Sequence, residues 1–243
     1  GGRAGGRGGG RGGRGEGAGF SGRNGRGGSV GKGKGGGKSG RGTSTSNNPS
    51  PALLTANLKN ARDLHSLFAI VADHHRAFNA IHLSAAWTHL SRLASAAQPS
   101  WRDTLAPSLG CLLETSGRVV SSGSNLRARE LANVAHGVAK SMCGPVASGL
   151  LDELASTIEQ HAASCNAQEL ANVAYAYAKA EHGAPSLFAA IAAAAGQRVS
   201  EFNAQELSIA VHAFAKAGHA APVLFGNLAT ACTARLDDFT PQG

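Results

Sequence analysis

The sequence predicts an all-α fold, an α-solenoid of helix-turn-helix repeats of about 38 residues, preceded by a disordered tail rich in glycine and arginine. Two observations predict this organisation. A helical phrase opened by a leucine recurs along the chain, and the first 42 residues have a composition that cannot form a core. The tail and its linker are expected to span residues 1–52, and the helical repeats residues 53–243.

The tail has its own charge balance. Residues 1–42 contain 23 of the 34 glycines, and ordering such a segment costs roughly 1–2 kcal/mol per residue with no apolar periodicity to offset it. They also contain 7 Arg, 3 Lys and 1 Glu, a formal charge of +9 against +8 for the whole chain, so the remainder carries −1.

The segment is similar to the RGG boxes of RNA-associated proteins, which bind nucleic acid through phosphate attraction and guanidinium stacking. The candidate RNA contacts in the tail are Arg3, Arg7, Arg11 and Arg14. A flexible solubilising linker is the alternative interpretation.

The recurring phrase defines the helical region. It reads ARELANVAHGVAK, AQELANVAYAYAKA and AQELSIAVHAFAKA, with a more degenerate first copy, IHLSAAWTHLSRLA. The anchor leucines of the four copies, 48, 39 and 37 residues apart, are Leu83, Leu131, Leu170 and Leu207. Self-similarity at a period of roughly 20–50 residues is typical of stacked supersecondary units. The extra length of the first interval is expected in a loop between Ser116 and Asn125.

The third copy shows why each repeat should contain two helices. Asn166 and Glu169 form the capping signature of a helix start, and the helix should run to about Ala180. The EHGA turn is expected to end it with a glycine, and Pro185 suits the first turn of a second helix. The fourth copy repeats this pattern with Asn203, Glu206, Gly218 and Pro222. Phe239 and Gln242 repeat Phe202 and Gln205, which predicts that another repeat begins where the chain stops.

Two faces of the anchored helix follow from a period of 3.6 residues per turn. Positions 0, +3, +4 and +7 from the anchor, such as Leu170, Val173, Ala174 and Tyr177, form an apolar stripe that should face the core. Positions +2, +5 and +9 lie on the opposite side. Position +9 is basic in every copy: Arg92, Lys140, Lys179 and Lys216. Position +5 carries a hydroxyl, an imidazole or a phenol: Thr88, His136, Tyr175 and His212. Two copies have an amide at +2: Asn133 and Asn172.

These residues predict a column of ligand-facing groups that repeats from helix to helix. A lysine near a helix C-terminus also stabilises the helix dipole by about 0.3–1 kcal/mol, which accounts for position +9 without a ligand. That explanation does not account for position +5. We therefore interpret the column as a binding face.

Other chemistry finds little support in the sequence. The four cysteines, Cys111, Cys143, Cys165 and Cys232, lack metal-binding spacing and are expected to be buried free thiols. We find no arrangement of nucleophile, base and orienting group, so we expect neither enzymatic activity nor a cofactor nor a metal site. The sequence also contains no run of 18 apolar residues, so it predicts no membrane-spanning helix.

The phrases NAQELANVAYAYAK and FNAQELSIAVHAFAK, together with ARDLHSLFAIVADHHRAFNAIHLSAAWTHLSRLA upstream, resemble the octotricopeptide-repeat proteins of green algae and the related FAST-type leucine-rich proteins. The resemblance covers about residues 53–243. It implies an α-solenoid that binds single-stranded RNA in the chloroplast or mitochondrion and governs the stability, processing or translation of transcripts, with other ribonucleoprotein subunits as further partners. Members often end in a RAP domain, an endonuclease-like module, which nothing in this chain matches. An α-solenoid scaffold for a protein partner is the alternative, because nucleic-acid-binding domains are usually basic and residues 43–243 are nearly neutral.

Overall fold

The computed structural model of the protein describes residues 49–123 and 126–234. The predicted tail, with its four candidate arginines, and the start of a further repeat at Phe239 lie outside these residues. Within them, the secondary structure is entirely helical. The α-helices are α1 Pro51–Asn60, α2 Leu64–His74, α3 Ala80–Ala96, α4 Trp101–Thr104, α5 Ala106–Ser121, α6 Ala128–Lys140, α7 Ser148–His161, α8 Ala167–Ala180, α9 Pro185–Gly196, α10 Ala204–Ala217 and α11 Pro222–Thr233. Short 3-10 turns follow α2, α7 and α9.

The helices pack in two layers. In the first layer, α1, α3, α6, α8 and α10 each contact the next in that order. In the second layer, α2, α5, α7, α9 and α11 do the same. Contacts between α6 and α7, α8 and α9, and α10 and α11 join the layers. The all-α class is therefore confirmed, and this packing is compatible with a solenoid.

The anchor leucine occupies the same place in every helix that carries it. Leu83, Leu131, Leu170 and Leu207 are each the fourth residue of their helix and are fully buried. The residue just before each N-cap is also buried in all four cases: Phe78, Leu126, Cys165 and Phe202. These two places are those of a hydrophobic staple, which fixes the direction in which the chain enters a helix. The phrase recurs because each copy needs the same helix entry.

Capping explains where the anchored helices begin and end. Asn166 and Asn203 each accept a hydrogen bond from a backbone N–H three residues on, and the glutamate at that position accepts one back from the cap at 2.9 Å. The predicted helix starts are thus confirmed. The end of α8 differs, because Glu181 and not a glycine adopts the left-handed conformation, at φ 54°. Gly218 takes that role after α10, as expected, at φ 64°.

The predicted loop between Ser116 and Asn125 is wrong in its first half, because α5 continues to Ser121. Small polar residues did not break this helix. Ser116 is fully buried; its hydroxyl donates to the Leu112 carbonyl at 2.7 Å and accepts from the Trp87 indole N–H at 2.9 Å. Helix–helix packing therefore satisfies a hydroxyl that the sequence pattern assigns to a loop.

Small residues let the first-layer helices approach closely. Position +6 is occupied by Gly137 in α6, Ala176 in α8 and Ala213 in α10, all buried. At Gly137 the approach is closest, because a Cβ there would lie 2.7 Å from the backbone carbonyl carbon and oxygen of Trp87 in α3. The helix interface leaves no room for a methyl group at this point.

We predict that Gly137→Ala destabilises the protein by about 1–3 kcal/mol, because overpacking outweighs the gain in helix propensity. Thermal unfolding followed by circular dichroism measures the effect. Gly110→Ala in α5 is the matched control, since its Cβ would meet nothing within 4 Å. That variant should be as stable as the wild type or more so. Equal melting temperatures for Gly137→Ala and the wild type would contradict the close approach.

Candidate nucleic-acid interface

The buried stripe of the anchored helices has the predicted composition. In α8, Leu170, Val173, Ala174 and Tyr177 are completely buried. The equivalent positions of α3 and α6 are also buried, whereas Val211 in α10 is only half-buried. The Tyr177 hydroxyl donates to the Leu151 carbonyl in the second layer at 2.7 Å. Burial, reinforced by the nearby carboxylates of Asp152 and Glu159, raises the pKa of this phenol, so it remains a neutral donor.

The opposite side of these helices is open to different degrees. All four basic side chains at +9 are exposed. At +5, Thr88 and His212 are exposed, while His136 and Tyr175 are half-buried. Position +2 is the most covered, because Ala85 is buried and Asn133 and Asn172 are half-buried. The Asn133 amide donates to the Ser84 hydroxyl of the neighbouring α3 at 3.1 Å. Position +2 therefore also contributes to helix packing.

A cluster at the junction of α6 and α8 joins predicted site residues from two helices. The rings of His136 and Tyr175 lie 5.8 Å apart between centroids. The Lys179 ammonium lies 5.8 Å from the centroid of the Tyr175 ring, within the range of a cation–π contact. The structure thus brings three of the predicted residues together, with an aromatic surface and a cation side by side.

His136 is electrostatically unusual within this cluster. Burial, together with the positive charges of Lys140 and Lys179, lowers its pKa to about 4. Its Nδ1 atom is buried and has no hydrogen-bond partner in the structure. The imidazole is therefore neutral at physiological pH, and one ring nitrogen is left without a partner.

At α10 the column is partly neutralised. The Lys216 ammonium lies 3.5 Å from the carboxylate of Glu181, the residue that ends α8. Both side chains are substantially exposed, and surface pairs of this kind contribute little to stability. A phosphate could displace such a carboxylate at low cost. Sequence reasoning missed this pair because it depends on the left-handed end of α8.

At the other end of the column, α1, α3 and α6 enclose an open cavity of about 440 Å³. Its lining includes the predicted residues Thr88, Arg92 and Asn133. It also includes three charged residues that the sequence analysis did not single out: Lys59, Arg129 and Glu130. Lys59 lies outside the recurring phrase, so no repeat position pointed to it.

Charge is segregated between the two layers. The first-layer helices α1, α3, α6, α8 and α10 carry six Lys or Arg and three Glu. The second-layer helices α2, α5, α7, α9 and α11 carry five Asp or Glu and one Arg. In α8 and α10, moreover, the glutamate is held in a capping box. The near-neutral total of the helical region therefore conceals a basic layer and an acidic layer.

The remaining chemistry is limited. Among residues 49–123 and 126–234, no group of three or more metal-ligating side chains is found, and no helix is long and apolar enough to cross a membrane. Cys143 and Cys165 are buried free thiols as predicted, and burial raises the pKa of Cys165 to about 11. Cys111 and Cys232 are only half-buried, so the expectation of full burial is wrong for them.

Comparison with protein-family models gives no match for this chain, and a search of curated protein sequences gives none.

We predict that His136 stabilises the protein in a pH-dependent way. Its folded pKa of about 4 is below the value of 6.5 expected for an unfolded chain. Unfolding therefore takes up a proton below that value, so this contribution is fully present above about pH 6.5 and is lost as the pH falls towards 4. The free energy of unfolding, measured by urea unfolding at several pH values in this range, should change less steeply with pH for His136→Asn than for the wild type. His212→Asn, on an exposed histidine at the same position of α10, is the control. Titration of the His136 ring near pH 6.5 in an NMR experiment would contradict the low pKa.

Proposed function

We propose that this chain is an α-solenoid of repeats of about 38 residues that binds single-stranded RNA along its first layer and acts in organellar post-transcriptional gene expression, in RNA stability, processing or translation. The observation that carries the proposal is that four successive, directly packed helices each carry an exposed cation at +9 and a hydroxyl, imidazole or phenol at +5. The resemblance to octotricopeptide-repeat proteins supports the organellar setting, in the chloroplast or mitochondrion. No enzymatic activity is proposed.

The spacing of the column suits a polymer with regularly repeated phosphates. Packed helices lie about 8–10 Å apart, so each helix presents its cation and its +5 side chain one step further along the layer. Helical-repeat proteins that read single-stranded RNA use two or three side chains per repeat to contact one base. Here each helix offers a cation for a phosphate and a neighbouring group for a base.

The His136–Tyr175–Lys179 cluster supplies the stacking surface of the proposed site. Bases stack on aromatic side chains with about 1–3 kcal/mol per base, largely independent of sequence. The half-buried Tyr175 ring contacts both the His136 ring and the Lys179 ammonium, which limits its freedom before a base arrives. The neutral His136 adds a second ring beside Tyr175 without adding a second positive charge.

The near-neutral charge of residues 43–243 favours the competing function, a scaffold for a protein partner. The segregation of charge between the layers weakens this argument for a protein scaffold. A polyanion meets a surface with six cations and three carboxylates, two of which are already engaged in capping boxes. Five of the acidic groups that reduce the total lie in the second-layer helices.

We predict that Tyr175→Ala lowers the affinity for single-stranded RNA about ten-fold while the fold persists, because it removes one stacking surface. Fluorescence anisotropy with a labelled RNA at about 50 mM salt measures the affinity. Leu170→Ala is the matched control on the buried side of the same helix. It should lower the free energy of unfolding by about 2–5 kcal/mol. If Tyr175→Ala binds RNA like the wild type, the assignment of this face is wrong. If the full chain binds no RNA but captures a protein, the scaffold function replaces it.

We predict a division of roles between the tail and the repeats. Deletion of residues 1–42 should weaken binding to all single-stranded RNAs alike and flatten the dependence of log K on log salt, because it removes 7 Arg and 3 Lys. Preference among RNA sequences should persist in the truncated protein. Anisotropy titrations over a salt series, with several RNAs, measure both quantities. Lost preference with unchanged affinity would reverse the assignment.

A further inference from the structure

Glu130 departs from the pattern of its repeat. It lies one residue before its anchor leucine, as do Glu169 and Glu206. Those two carboxylates accept a hydrogen bond from the N-cap backbone of their helices at 2.9 Å. The N-cap of α6 is Arg127, whose side chain makes no capping hydrogen bond. The Glu130 carboxylate therefore does not cap its own helix, as the carboxylates of Glu169 and Glu206 do.

The carboxylate of Glu130 is left unsatisfied. Its Oε2 atom is buried and has no hydrogen-bond partner in the structure. Neither of the two ion pairs found among the described residues involves it. A buried carboxylate oxygen without a donor costs free energy, so a rotation of the carboxyl group that brings Oε2 to the donors of a ligand gains more here than at a solvated carboxylate.

The surroundings of Glu130 specify the rest of the ligand. Glu130 lines the cavity of about 440 Å³ between α1, α3 and α6, a volume within the range of small-molecule sites. Lys59, Arg92 and Arg129 line the same cavity from three different helices, are exposed, and take part in neither ion pair. Three cations attract a phosphate, while the carboxylate requires hydrogen-bond donors on the same molecule. A nucleotide whose base presents donors combines both.

Guanine fits the carboxylate better than the other bases. An ionised glutamate only accepts hydrogen bonds and has two oxygens for this purpose. The Watson–Crick edge of guanine presents two adjacent donors, N1–H and the 2-amino group, whereas adenine and cytosine present one amino group beside an acceptor nitrogen. A carboxylate is repelled by that acceptor and pairs with both guanine donors.

We propose that the α1–α3–α6 cavity binds one guanine nucleotide, with Glu130 pairing with its Watson–Crick edge and Lys59, Arg92 and Arg129 holding its phosphates. This inference rests on the proposed function and deepens it, because it assigns a base preference to one end of the RNA-binding face. Thr88 and Asn133, in the same cavity, supply further hydrogen-bonding groups for the sugar or base.

The test compares uridine-tract RNAs that carry one central guanine, adenine or inosine, bound to the full chain in anisotropy titrations. The guanine RNA should bind about ten-fold more tightly than the adenine RNA. The inosine RNA, which lacks the 2-amino group, should fall between them. Glu130→Gln should abolish the preference for guanine, because the amide presents a donor where the base also has one, and should leave affinity for the plain uridine tract intact.

Glu169→Gln is the matched control, since its carboxylate is already engaged with the Asn166 backbone. It should lower the melting temperature slightly and keep the preference for guanine. Equal binding of the three RNAs by the wild type would overturn the guanine pocket and leave RNA binding in place. If none of the RNAs binds, the proposed function fails, and titration with guanosine and adenosine 5′-monophosphates then tests the cavity alone. A preference for guanosine that Glu130→Gln removes would support the pocket, and equal or no binding would overturn it.

Discussion

The close packing of first-layer helices is the constraint on which the rest of the structure depends. Gly137 lies so near the backbone of Trp87 that a methyl group does not fit between α3 and α6. Alanines take the equivalent place in α8 and α10 and are buried there. Because a small residue occupies this position, α6, α8 and α10 each approach the preceding first-layer helix through the same side. The +5 and +9 side chains of successive helices therefore point away from the core together.

The same packing determines which side chains on the open side of the helices remain mobile. A side chain on the open side of one helix is partly covered by the next, which explains why His136 and Tyr175 are half-buried and in contact. Partial burial lowers the pKa of His136 to about 4, and the neighbouring lysines add to this effect. At the junction of α6 and α8, the column that the sequence presents as exposed groups is thus a cluster of side chains in contact with restricted orientations. Restricted groups lose less entropy when a ligand binds.

The sequence predicted the parts of this fold that depend on local patterns. The helix starts at Asn166 and Asn203, the proline-led starts of α9 and α11, and the apolar stripe of the anchored helices all follow from capping and periodicity. It failed where a distant partner decides the outcome. Ser116 remains in a helix because Trp87 satisfies its hydroxyl, and Glu181 ends α8 in place of a glycine. The site divides in the same way: repeat register located the +5 and +9 column, whereas Lys59 and Glu130 emerge only from the packing of α1 against α3 and α3 against α6. One signal for Glu130 was present in the sequence, since Arg127 replaces the asparagine that its register leads one to expect.

The segregation of charge between the layers has a consequence for how a ligand arrives. With a net charge of +3 on the first-layer helices and −4 on the second-layer helices, these helices form an electric dipole across the two layers although the total charge of residues 43–243 is close to zero. In the field of a long anionic chain, such a molecule rotates until its basic layer faces the chain, and it does so before any side chain makes contact. Orientation during diffusion raises the fraction of encounters that lead to binding, and this benefit declines as salt shortens the Debye length to about 10 Å at 0.1 M. A nearly neutral helical region can in this way meet a polyanion in one orientation.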